Sequence, residues 1–168
     1  MKNLVVYQSS TGFTAKYAEW IAKELSCEAK ELKKVKPQEL SEYDCIIFGG
    51  WIMGGMISGL DKINKMNPPK LIVFAVGASG DNEKLREELK SQNHLEQIPF
   101  FYMQGGINFE KLSFFPKMML KMMGKSIAKK ENRTEKEEEM LELFAASSDN
   151  SDIANIQPLV EYVNKFAM

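Results

Sequence analysis

The residues best suited to chemistry lie at positions 9–14. Ser9, Ser10, Thr11, Gly12, Phe13 and Thr14 follow the apolar run Leu4-Val5-Val6-Tyr7, and no basic side chain lies between that run and Lys16. A helix N-terminus carries unpaired N–H groups and a partial positive charge, which suit a phosphate. The hydroxyls add donors, and Gly12 lets the backbone come close. A hydrogen bond to a charged group contributes roughly 1.5–3 kcal/mol, so several hold a dianion without a lysine. The same residues admit a plainer reading, with Thr14 as a helix cap and the serines as a turn. A cap needs only one such residue, so the density of hydroxyls favours the cradle.

Two more loops have suitable chemistry. In Gly49-Gly50-Trp51-Ile52-Met53-Gly54-Gly55-Met56, two large apolar residues, Trp51 and Met53, stand between glycine pairs. Trp51 on an exposed loop can stack on a flat ring, or it can fold back onto the core. The third loop, Gly77-Ala78-Ser79-Gly80-Asp81-Asn82, is small and polar, with backbone groups free for a heterocycle edge. Asp81 is read first as the N-cap of the next helix and second as a ligand contact.

The elements that would position these loops follow from the apolar pattern. Residues 3–7, 44–49, 71–77 and 98–103 read as buried strands, and 28–33 as a charged edge strand. Pro99 stands at a strand start, where a missing donor is tolerated. Helical spacing covers 14–25, and helices are expected over 58–66, 82–92 and 155–166, the last with Pro158 in its first turn. Thr134 and Glu137 form a capping-box pattern opening a helix at 135–145. Buried strands without alternation, separated by helices, predict an α/β doubly wound parallel sheet of order 2-1-3-4-5 with helices on both faces. Ligands bind such sheets at the carboxyl ends of the strands, which places 8–14, 50–57 and 77–82 together.

At 168 residues the chain reads as a single domain over 1–168, long enough to need no disulfide staple. It is 44% apolar and 27% charged, an ordinary soluble balance. With 22 basic and 23 acidic residues the net charge is -1, so nucleic acid is not an expected partner. Cys27 and Cys45 lack metal or redox spacing and read as reduced and structural. The chain starts directly with a strand and has no apolar run near the ~18 residues of a membrane span, so a cytoplasmic protein is expected.

Some short patterns are rejected. Gly124-Lys125-Ser126 ends like a P-loop, but the required earlier glycine is Met119. No G-x-G-x-x-G follows a strand, against nicotinamide dinucleotide binding. His94 is the only histidine, so neither a zinc site nor a triad is supported. Asn132-Arg133-Thr134 fits a glycosylation sequon without meaning in a cytosolic chain.

"YQSSTGFT" and the five-strand pattern resemble the flavodoxin family, whose phosphate loop is a Ser/Thr/Gly turn between a strand and a helix. The resemblance implies an FMN-binding, flavodoxin-like redox protein that transfers electrons through the flavin. It places Ser9, Ser10, Thr11, Gly12, Phe13 and Thr14 around the phosphate. It places Gly50, Trp51, Ile52, Met53 and Gly54 beside the isoalloxazine, and Gly77, Ala78, Ser79, Gly80 and Asp81 at its pyrimidine edge. Three departures stand out: Phe13 replaces a frequent asparagine, the third loop lacks a stacking tyrosine, and the chain is not strongly acidic. No catalytic acid or base is assigned, because the flavin carries the electrons. The same fold without flavin, as a regulatory or binding module, is the rival reading.

A long insert follows the fifth strand at about 105–133. Lys117, Lys121, Lys125 and Lys129 recur every four residues among Met118, Met119, Leu120, Met122 and Met123, with Phe114 and Phe115 ahead. Such a face suits a membrane surface or a large apolar substrate, or packs its methionines on the core or a dimer partner. The insert resembles that of flavodoxin-like protoporphyrinogen oxidases. That likeness implies a quinone, a porphyrin or a redox partner protein at this segment.

Overall fold

A computed structural model describes residues 1–167; Met168, the end of the expected domain, lies outside the described residues. The strands are β1 (Asn3–Gln8), β2 (Glu28–Glu31), β3 (Cys45–Met53), β4 (Met56–Ile57), β5 (Leu71–Gly77), β6 (Phe100–Gln104), β7 (Gly106–Ile107) and β8 (Ser148–Asp149). The helices are α1 (Phe13–Glu24), α2 (Leu60–Lys65), α3 (Glu83–Gln92), α4 (Phe114–Ala128), α5 (Glu135–Ala145) and α6 (Gln157–Ala167).

The sheet runs β2-β1-β3-β5-β6, all parallel, which is the doubly wound order expected. Alternate residues of each central strand feed two cores. Leu4, Val6, Ile46, Phe48, Val73 and Ala75 pack toward Leu60 and Ile63 of α2 and Leu89 of α3. Val5, Cys45, Ile47, Ile72, Phe74 and Val76 pack toward Tyr17 and Ile21 of α1 and Leu159 and Val163 of α6. Each large side chain so buried contributes roughly 1.5–3 kcal/mol. The near-continuous apolar runs of these strands reflect burial on both faces.

The second loop differs from expectation. The strand read as 44–49 continues to Met53, and the chain turns back through Gly54 and Gly55 into β4, where Met53 pairs with Met56. Gly54 and Gly55 have φ of 58° and 80°, the conformation of a tight two-residue hairpin turn that only glycine takes easily. Trp51 therefore belongs to a paired strand and not to a flexible loop. The helix expected over 58–66 is α2, which starts only at Leu60, after Gly59 in the left-handed conformation at φ 85°. Buried Asn93, just past α3, holds this hairpin. Its Oδ1 accepts from Ile57 N at 2.9 Å, and its Nδ2 donates to Gly55 O at 2.8 Å and Leu89 O at 2.9 Å.

The excursion after β6 is longer than the segment 105–133. It leaves the sheet through β7, forms the antiparallel pair α4 and α5, and returns through β8, which pairs with β7. The capping box at α5 forms as expected, with Glu137 N donating to Thr134 Oγ1 at 3.2 Å and Thr134 N to Glu137 Oε2 at 3.0 Å. Lys16 Nζ anchors the base of the excursion, donating to Asp149 Oδ2 at 2.9 Å and Ser151 Oγ at 2.8 Å. The Ser151 and Lys16 hydrogen bonds hold the Asp149 carboxyl down to about 2.

Replacing Asn93 with Ala leaves Ile57 N–H and Gly55 C=O without partners. Urea denaturation is expected to show a loss of roughly 1–3 kcal/mol with an unchanged slope. Asp149 has a depressed folded-state pKa, so its contribution is present above the ordinary carboxylate range and disappears as pH falls toward about 2. Asp149→Asn is accordingly expected to melt below the parent at neutral pH. Thermal melts in a descending pH series should show the gap closing between about pH 4 and pH 2.

Candidate functional site

Three loops leave the carboxyl ends of β1, β3 and β5 and meet at one edge of the sheet. They border a cavity of about 940 Å³. Ser9, Ser10, Thr11, Phe13 and Thr14 line it from the first loop, and Trp51, Ile52, Met53 and Gly54 from the second. Gly77, Ala78 and Ser79 line it from the third. These twelve are the expected site residues that the fold brings together. Gly12 faces a neighbouring cleft of about 450 Å³ on the far side of Thr11 and Phe13.

Gly50, Gly80 and Asp81 do not line the cavity. Gly50 is buried against Ser58 and Ile57 of the hairpin, where a side chain would have no room. Asp81 is not the N-cap of α3 either. It pairs with Arg86 at 2.6 Å, and the cap is Asn82, whose Oδ1 accepts from Leu85 N at 2.9 Å. The extended backbone of Asn82 aims its side chain back over the first turn, as a cap requires.

The first loop has the properties of an anion cradle. Gly12, at φ 105°, starts α1 with no side-chain cap, so Thr14 is not the cap of the plainer reading. The N–H groups of Ser10, Thr11, Phe13, Thr14 and Ala15 have no acceptor among the described residues; the first turn bonds begin with Lys16 N to Gly12 O at 2.9 Å. Thr14 is 1% exposed and lines the cavity. Open backbone donors and the helix dipole therefore converge without any cation at the loop.

The third loop is held by its carbonyls. Tyr102 Oη donates to Ser79 O at 2.6 Å, and Gln104 Nε2 donates to Ala78 O at 3.2 Å. Burial pushes the Tyr102 hydroxyl well above its ordinary pKa, so it stays a donor. With those carbonyls engaged, the N–H groups of Ser79 and Gly80 have no acceptor among the described residues. An edge of hydrogen-bond acceptors fits there.

The cavity's remaining wall comes from the excursion after β6. Met119, Leu120 and Met123 of α4 and Met140, Leu143 and Phe144 of α5 close it opposite the loops. Lys136 of α5 pairs with Glu88 of α3 at 3.3 Å across the rim. The α5 signal was visible in the sequence, since Met140, Leu143 and Phe144 stand at i, i+3 and i+4 on one face. Tyr102 and Gln104 left no such signal, because a strand's apolar pattern says nothing of which carbonyl a polar tip will reach.

Burial pushes the Cys45 thiol up to about 11 and raises that of Cys27, which leaves both poor nucleophiles. No cluster of three or more His, Cys, Asp or Glu side chains suits a metal among the described residues. No helix among them is long and apolar enough to cross a membrane.

Comparison with known proteins finds several that this chain resembles. A 102-residue stretch is 35% identical to an uncharacterised protein of Methanocaldococcus jannaschii, covering 55% of this chain and 68% of that one. Among solved structures, a flavodoxin from the domain Archaea is 25% identical, with 61% of this chain and 78% of the other covered and a TM-score of 0.42. The oxidised flavodoxin 2 of Bacillus cereus is 21% identical, with 61% and 84% covered and a TM-score of 0.43. A flavoprotein of Lactobacillus acidophilus solved with FMN is 18% identical, with 61% and 91% covered and a TM-score of 0.42. The sequence model of the flavodoxin domain matches residues 4–135, well over half of the chain and inclusive of all three loops. With its sheet order and this match, the chain belongs to the flavodoxin family.

Proposed function

We propose that this protein binds FMN at the three-loop cavity and transfers electrons through it. The observation that carries the reading is the cradle at Ser9–Thr14, where backbone amides at a helix N-terminus, without acceptors among the described residues, open onto the cavity that Thr14 lines. That donor set fits a phosphate dianion. Trp51 and Met53 supply flat, polarizable surface for the ring system, and the Ser79 amide suits an acceptor at its edge. Bound FMN would supply the one- and two-electron chemistry. The chain's own residues bind, orient and shield it, and none serves as acid or base.

A second reading concerns what exchanges electrons at that site. The α4–α5 wall presents Met119, Leu120, Met123, Met140, Leu143 and Phe144 to the cavity, apolar groups that a phosphate-and-ring cradle alone does not need. This favours an oxidoreductase acting on a large apolar compound, of the quinone or porphyrin type, over a carrier that meets only other proteins. A flavin-free binding module of the same fold is the alternative to both.

FMN titration separates these readings. Purified protein is expected to turn yellow and quench FMN fluorescence at one equivalent. A colourless protein with no quenching would remove the flavin readings together. Thr14→Val, a near-isosteric change, should weaken FMN roughly tenfold to a hundredfold and leave riboflavin, which lacks the phosphate, unaffected. Met123→Glu places a charge on the apolar wall. It should keep FMN affinity and ferricyanide reduction, and lower turnover of an apolar quinone or porphyrinogen about tenfold or more. Equal activity of parent and Met123→Glu on both acceptors would favour the plain carrier.

A further inference from the structure

The outward face of α4 plays no part in the fold or the cavity. Met119, Met123 and Leu120 point to the cavity, Gly124 lies against Phe144, and Ile127 is buried. The opposite arc carries Phe114, Phe115, Met118 and Met122 interleaved with Lys117, Lys121 and Lys125. Phe114 is 80% exposed, Met122 63% and Phe115 62%, an uncommon amount of large apolar surface on one helix face.

We propose that this face docks on an anionic lipid surface. Charge and shape agree on that occupant. Residues 111–130 contain six lysines and no acidic residue, in a chain whose net charge is -1. None of Lys117, Lys121, Lys125 and Lys129 forms an ion pair among the described residues, whereas Lys130 and Lys136 are both engaged. On the helix the lysines lie beside and among the Phe and Met side chains, so a helix lying flat sinks its apolar side chains between headgroups while the long lysine stems reach phosphates. α4, at 15 residues, is too short to span a bilayer. Pairing with a second copy through the same face is disfavoured, because two-fold symmetry sets like lysines against one another. The binding face lies on the opposite side of α4 from the cavity wall, so docking leaves that wall in place. The proposal does not depend on flavin binding.

The test is flotation of the full chain with phosphatidylcholine vesicles, with and without phosphatidylglycerol. Binding is expected only to the phosphatidylglycerol vesicles and is expected to weaken with added salt. Lys117→Gln, Lys121→Gln and Lys125→Gln together should lower affinity roughly a hundredfold, at about fivefold per lysine near the surface. Phe114→Ser with Phe115→Ser should lower it about tenfold or more, with an unchanged melting temperature because both side chains are exposed. Flotation no greater than with phosphatidylcholine alone would overturn the proposal. So would a solution dimer, seen by sedimentation, that the Phe114→Ser/Phe115→Ser chain no longer forms.

Discussion

Burial of the parallel sheet on both faces is the constraint on which the rest of this structure depends. A strand covered on both sides cannot bring polar atoms into its middle, so polar and flexible residues collect at its ends. Because β1, β3 and β5 run the same way side by side, their polar ends meet at one edge. The helix that covers the sheet after β1 must start there, and its first amides are left open. The cradle at Ser9–Thr14 is thus a consequence of how the core is covered.

Tyr17 shows how that cradle is tied to the later part of the chain. It is fully buried on α1, one turn beyond Thr14. Its hydroxyl donates to Gln104 O at 2.5 Å and accepts from Asp152 N at 3.1 Å and Asn155 Nδ2 at 2.9 Å. Lys16 adds its bonds to Asp149 and Ser151. These contacts fix both ends of the α4–α5 excursion against the helix that begins the site. The outer end is held by the exposed Lys136–Glu88 pair, and exposed pairs contribute little, roughly 0–1 kcal/mol. The apolar wall is therefore firmly rooted at its base and lightly fastened at its rim.

Much of the site was legible because local rules and tertiary placement agreed. Hydroxyls and glycine after an apolar run mark a strand-to-helix corner, and the corner formed. Where they disagreed, pairing decided. Trp51 sits in a run that reads as a glycine-rich loop, but β3 extends through it because Gly54 and Gly55 close a hairpin onto Met56. Asp81 and Asn82 are equivalent as caps by residue type. Backbone geometry chose Asn82 and left Asp81 to Arg86.

By itself the sequence determined the α/β class, the first and third loops and the helical character of the Met/Lys segment, since period, length and turn residues are local properties. Only the tertiary structure decided that α4 and α5 pair, and that their methionines close the same cavity as Ser9 and Trp51. It also decided that the Phe114 face of α4 remains uncovered. A helix's pattern states that it has an apolar side, but what that side meets depends on where β7 and β8 bring the chain back, through their own pairing and through the contact of Lys16 with Asp149, 133 residues away.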